Sequence, residues 1–122
     1  MMYHTGIYNE VKSINNDNYK LLEPVRALRD FIGDLSTWYL RRSRDRLKSE
    51  GEDKICALAT TRFVLQEFAK VMAPVMPFKA EDTFQRVKDS GDVLSVHLSS
   101  WPTIESIDSD VLMNMSHVRD VV

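Results

Sequence analysis

The sequence predicts an all-α protein: an antiparallel helical bundle of about four helices, a short extended C-terminal connector and a further terminal helix. Three observations lead there. Apolar residues recur at intervals of three and four along most of the chain, the period that lines one face of a helix. Pro, Gly and Asn clusters fall between those runs, where helices stop and start. The period-two alternation of a half-buried strand occurs once and briefly, at Leu94-Ser95-Val96-His97-Leu98.

The elements follow in order. Ile7, Val11 and Ile14 are spaced for a short first helix. Asn15-Asn16-Asp17-Asn18 breaks it, because these side chains compete for backbone hydrogen bonds. A second helix is expected from about Pro24 to about Ser49. Proline suits a first turn, where a missing N–H costs little. Val25, Leu28, Ile32, Leu35 and Tyr39 form its apolar stripe, flanked by Phe31 and Trp38. Gly33 lies inside the pattern and suggests close approach of a neighbouring helix; Gly51 is a natural stop. A third helix, about Asp53 to Met72, carries Leu58, Thr61, Leu65, Phe68 and Met72 as a packing seam. Pro74 ends it, and Pro77 opens a fourth over about Phe78 to Lys88, with Ala80, Phe84 and Val87 on one side. Ser90-Gly91-Asp92 is a turn, then comes the alternating segment, closed by Trp101-Pro102. Asp108 to Val122 is helical in pattern, with Val111, Met115, Val118 and Val122 in one stripe. That stripe reaches the last residue without a stop signal and suggests a chain cut from something longer. The expected division is 1–102 for the bundle and connector, and 103–122 for the start of a following segment.

Composition narrows the classes of function. A chain of 122 residues suffices for one core. The single Cys56 excludes an internal disulfide framework and suits a reducing compartment. His4, His97 and His117 lie far apart and make no metal spacing. No apolar run approaches the roughly 20 residues that span a bilayer, and the N-terminus lacks a signal-peptide layout. The expectation is a soluble cytoplasmic protein. No Gly-rich phosphate loop, catalytic carboxylate pair or nucleophile triad is recognisable, so no catalytic residue, cofactor or metal is expected from this chain.

The strongest chemical signal is Trp38-Tyr39-Leu40-Arg41-Arg42-Ser43-Arg44-Asp45-Arg46. It sets four arginines within six residues, although the chain's formal net charge is −2. A basic cluster on an acidic chain concentrates positive field on one patch, and phosphates are its commonest target. A solvated helix end explains the same cluster through the helix dipole. At about 100° per residue, an uninterrupted helix puts Arg42 and Arg46 on the side of Leu28, Leu35 and Tyr39, with Arg41 and Arg44 opposite. Arg42 and Arg46 then snorkel past the core end, pair with a carboxylate, or line a cleft for phosphate or a base. Asp45 stands at helical spacing to pair with Arg41 or Arg42. Trp38 serves either the core or base stacking.

Phe31-Ile32-Gly33-Asp34-Leu35-Ser36-Thr37-Trp38-Tyr39-Leu40-Arg41-Arg42-Ser43-Arg44 resembles the helical anticodon-binding domain of class I aminoacyl-tRNA synthetases, most closely the isoleucyl branch. Ala73-Pro74-Val75-Met76-Pro77-Phe78-Lys79-Ala80-Glu81-Asp82 resembles the Pro-Phe turn of the same domain, and Ser95-Val96-His97-Leu98 with Trp101-Pro102 resembles the segment after it. Val118-Arg119 looks like part of the helix that follows in the family. The resemblance implies a tRNA partner, the isoleucine acceptor, gripped at its anticodon stem-loop by Trp38, Arg41, Arg42, Arg44 and Arg46. It also implies that the catalytic domain, with its ATP, and the remaining C-terminal part lie outside this chain, which lacks the His-x-Gly-His and Lys-Met-Ser-Lys-Ser motifs. The sequence departs from the family pattern at Asp45, where a basic residue is common, and at Gly33 and Lys79. The alternatives are the same domain from a valyl or leucyl relative, or a bundle that docks a protein through the Val111, Met115, Val118, Val122 stripe. His97 is read as structural, Cys56 as packed and inert, and the methionines as gap fillers.

Overall fold

Pro24, Leu28 and Phe31 recur at four and three residues and point one face of the first described helix inward. The computed structural model describes residues 22–103 and 108–121. The short helix expected around Ile7, Val11 and Ile14, with its Asn-rich turn, lies outside the described residues. Helix α1 spans Leu22–Gly33 and runs directly into a π-helical stretch, Asp34–Tyr39, which continues as α2, Leu40–Arg42, and, after Ser43, as α3, Arg44–Lys48.

The single long helix expected here is therefore interrupted twice. Local chemistry accounts for the first interruption. The Ser36 hydroxyl donates to the Ile32 carbonyl at 2.7 Å, and the Thr37 hydroxyl donates to the Gly33 carbonyl at 2.6 Å. Such back-bonding competes with the α ladder, and Gly33 is a weak helix former at the same place. The Leu40 N–H accordingly reaches the Leu35 carbonyl, five residues back. A Cβ placed on Gly33 would meet nothing within 4 Å, so this glycine does not serve the close helix approach expected of it.

After Ser49 the chain turns at Gly51, whose φ of +122° lies in the region that glycine alone adopts without strain. Helix α4, Glu52–Met72, follows. It packs antiparallel to α5, Pro77–Val87, around the corner Ala73–Met76. Pro77 stands at the first turn of α5, where its missing N–H is harmless. Ala69 and Ala80 are fully buried, and such small side chains let the two helices approach closely. The core consists of Leu28, Phe31, Phe68, Ala69, Val71, Met72, Ala80, Phe84 and Val96. Phe31 and Phe68 stack with centroids 4.8 Å apart and tie α1 to the hairpin. The expected α4 stripe holds at Phe68 and Met72, which are buried, and slips by one position at its start, where Ala57 is buried and Leu58 is 49% exposed. Cys56 is consequently exposed rather than packed. Val25 and Ile32 of the expected stripe are also exposed.

The segment expected as a short strand is a 3₁₀ turn, Val96–Leu98, entered through an extended Ser95. Its partner is a side chain, not a strand. The Glu81 carboxylate accepts from the Ser95 hydroxyl at 2.8 Å and from the Val96 N–H at 2.9 Å. Val96 is thereby buried and His97 left exposed, with its N–H on the Ser95 hydroxyl. Helix α6, Ser109–Val121, starts at Asp108, whose carboxylate accepts the N–H groups of Asp110 and Val111. None of its residues is buried, and Val111, Met115 and Val118 face outward. Among the described residues the fold is all-α, and no helix is long and apolar enough to cross a membrane.

Candidate nucleic-acid interface

The π stretch decides where the arginines point. In an unbroken α-helix, Arg42 and Arg46 continue the stripe of Leu28 and Leu35. The wider π turns instead carry the inward face to Ser43, which is 5% exposed, and both Arg42 and Arg46 are exposed. The expected split of the cluster into a core-side half and a solvent half does not occur. Arg41, Arg42, Arg44 and Arg46 are all exposed, and Trp38 is half-buried beside them.

Their partners differ. Arg46 grips Asp53 across the Gly51 turn, with Nε 3.0 Å from each carboxylate oxygen and Nη2 2.7 Å from Oδ1. This hydrogen-bonded pair holds the Asp53 carboxyl below its ordinary pKa and raises that of Arg46. It fastens α3 to the first turn of α4. The Arg42 guanidinium carbon lies 5.5 Å from the centroid of the Trp38 ring, a cation–π contact. Among the described residues, Arg41, Arg42 and Arg44 form no ion pair. The pairing of Asp45 with Arg41 or Arg42 that helical spacing allows is not made. Ser43 breaks the helix between them, and Asp45 stands in the first turn of α3, where a negative charge suits the dipole.

A second guanidinium reaches Trp38 from α6. The Arg119 guanidinium carbon is 5.6 Å from the ring centroid, and its two terminal nitrogens donate to Asp34 at 3.1 and 2.8 Å. Both side chains are about one-third exposed. Asp34 also borders an open groove of about 560 Å³ with Arg29, Asp30, Gly33 and Thr37. Asp34, Asp53 and Arg119 were not among the sequence-derived candidates. Asp34 lies inside the motif segment, but its partner stands 85 residues away, a separation at which no local pattern signals a contact. Among the described residues, no three His, Cys, Asp or Glu side chains converge to hold a metal ion.

The family model described as anticodon-binding domain of tRNA ligase matches residues 10–122, the π stretch, the arginine run and the Pro77 corner included. The chain belongs to this family. Its sequence is 39% identical to the isoleucine–tRNA ligase of Chlamydia muridarum over 112 residues, 88% of this chain and 11% of that protein. It is 44% identical to the isoleucine–tRNA ligase of Clostridium novyi over 91 residues, 70% of this chain and 9% of that protein. That of Chlamydia abortus is 36% identical and aligns with 97% of this chain and 12% of its own length. The chain thus spans about a tenth of the length of the curated relatives it matches. The arginine run forms an exposed face on α2 and α3, and its last member, Arg46, is tied to the first turn of α4 through Asp53.

Proposed function

We propose that this chain is the anticodon-binding portion of an isoleucine–tRNA ligase and that its arginine face grips the anticodon stem-loop of the isoleucine acceptor tRNA. One observation carries the reading. In a chain of the anticodon-binding family, Arg41, Arg42 and Arg44 are exposed, adjacent and free of ion pairs among the described residues. Guanidinium groups in that state suit phosphate oxygens, to which they donate two parallel hydrogen bonds. These three contact phosphates and fix the register of the RNA, while Arg46, its charge balanced by Asp53, anchors the end of the run to α4. Trp38 braces Arg42 from within the patch.

The division into a bundle and connector at 1–102 and the start of a following segment at 103–122 belongs to the same proposal. So does a cytoplasmic setting, where translation takes place. The missing nucleotide-binding motifs leave aminoacylation, and its ATP, to a catalytic domain outside this chain. Titration of an unmodified isoleucine tRNA transcript tests the reading. Neutralising three or four phosphates gives a log–log salt slope of about −2 to −4. Absence of binding at low salt, or unchanged binding on replacing Arg42 and Arg44 by Gln, refutes it.

A further inference from the structure

Asp34, Trp38 and Arg42 stand four residues apart and form one row along the π stretch and α2. Arg119 from α6 engages two of the three, holding both Asp34 carboxylate oxygens while lying against the Trp38 ring. Arg42, the third, lies against the same ring. We infer that Arg119 is a positioning residue for Arg42, acting through Asp34 and Trp38, so that the C-terminal helix sets the aim of the phosphate-binding patch. This rests on the tRNA reading proposed above.

The physical case has three steps. A two-pronged guanidinium–carboxylate pair fixes the plane of the guanidinium as well as its distance. Arg119 held in that way restricts the tryptophan ring it touches, and the ring face is the surface on which the otherwise exposed Arg42 rests. Asp34 is the carboxylate two turns before Arg42 in the row, and Arg119 occupies both of its oxygens. Without Arg119, that carboxylate is free to repel an incoming phosphate or to draw Arg42 away from it. Trp38 in this arrangement is a rest for guanidinium groups, not an open stacking face for a base.

The experiment uses the 122-residue chain with Trp101→Phe, which leaves Trp38 as the reporting tryptophan. The probe is a labelled isoleucine anticodon stem-loop hairpin, and affinity is read by anisotropy at low salt. The informative change is Asp34→Asn. It removes a negative charge, so simple electrostatics predicts tighter RNA binding. The positioning role predicts binding weaker by about threefold to tenfold, the scale of one coupled contact. Arg119→Lys keeps the charge, loses the two-pronged grip and gives a similar loss. Trp38 emission shifts in both variants before RNA is added. In an Arg42→Gln background, Asp34→Asn has no further effect on affinity. Circular dichroism confirms that the helices of each variant persist.

Unchanged or tighter binding by Asp34→Asn overturns the inference and leaves the tRNA reading standing. A full additional loss in the Arg42→Gln background also overturns it, because the pair then acts independently of Arg42. If the unsubstituted chain binds no RNA, the tRNA reading fails and the inference fails with it.

Discussion

The α4–α5 hairpin and the arm from α1 to α3 are both helical, yet they are held by different forces. The hairpin buries Phe68, Ala69, Val71, Met72, Ala80 and Phe84. The arm buries Leu28 and Phe31 near its start, and beyond the π stretch only Ser43. Beyond that start it is fastened by ion pairs: Asp34 with Arg119 at the beginning of the π stretch, and Arg46 with Asp53 near the arm's end. Burial of apolar area is largely insensitive to salt, whereas partly exposed ion pairs are weakened by it. Stability therefore resides in the hairpin. The arm is free to carry an uncompensated cluster of positive charge that a core could not tolerate.

The sharpest way to break this contrast is to empty the hairpin. Phe84 is 1% exposed and belongs to the same core cluster as Phe68, Met72 and the connector residue Val96. Phe84→Ala should cost about 3–5 kcal/mol, a large share of the roughly 5–15 kcal/mol available to a small domain. Urea unfolding measures the loss, and RNA binding should disappear with the fold. A destabilisation under about 1 kcal/mol would show that the hairpin is not the stabilising half.

Changes on the arm should do the reverse. Replacing Arg42 and Arg44 together by Gln should weaken tRNA binding by about tenfold to a hundredfold and make the salt slope shallower by roughly 1.5 to 2. The unfolding midpoint should barely move, because neither side chain has an ion-pair partner among the described residues. A clear fall in that midpoint would place these arginines in the structure of the arm instead of in its contacts.

Gly51 joins the two regions at φ +122°. Its surroundings are open, since an added Cβ meets nothing within 4 Å, so the cost of Gly51→Ala is one of backbone strain alone. That cost should be about 1–3 kcal/mol in thermal or urea unfolding, since φ +122° with ψ −167° is a region held almost by glycine alone. No loss would show that the turn between Lys48 and Glu52 adapts freely.

The smallest effect concerns pH. Glu81 accepts hydrogen bonds from Gln85, Ser95 and the Val96 N–H, and these hold its carboxyl below the ordinary glutamate value. A depressed native pKa means that its contribution to stability is complete above the unfolded value of about 4.3 and fades as pH falls through the native one. Thermal midpoints of the unsubstituted chain should decline across that acid range. Those of Glu81→Gln should start lower near neutral pH and decline less steeply. Parallel curves for the two proteins would remove Glu81 as the anchor of the connector.

Much of the architecture is legible in the sequence. The Pro74 to Pro77 corner, the Gly51 stop, the faces of α5 and the pattern of α6 all follow from propensities that act within a few residues, where sequence neighbours are also spatial neighbours. The family motifs likewise lie in continuous segments. The facing of the arginines was not legible, because a helical wheel assumes an unbroken period of 3.6. One inserted residue in the π stretch turns every later side chain by about 100°. That slip moved the inward position from Arg42 and Arg46 to Ser43. The 3₁₀ turn at Val96 escaped for a similar reason, since the carboxylate that accepts from the Ser95 hydroxyl and the Val96 N–H belongs to Glu81, an element away.

By itself, the sequence determined that the chain is helical, where most of its helices end, and that an arginine cluster follows Trp38. Tertiary structure alone decided that Arg46 is tied to Asp53, that Arg42 rests on Trp38, and that Arg119 closes on Asp34 across 85 residues. The physical reason is one of range. Helix formation sums local preferences along the chain, whereas the partner of a charge is set by which distant segment the packed core brings within a few ångströms of it.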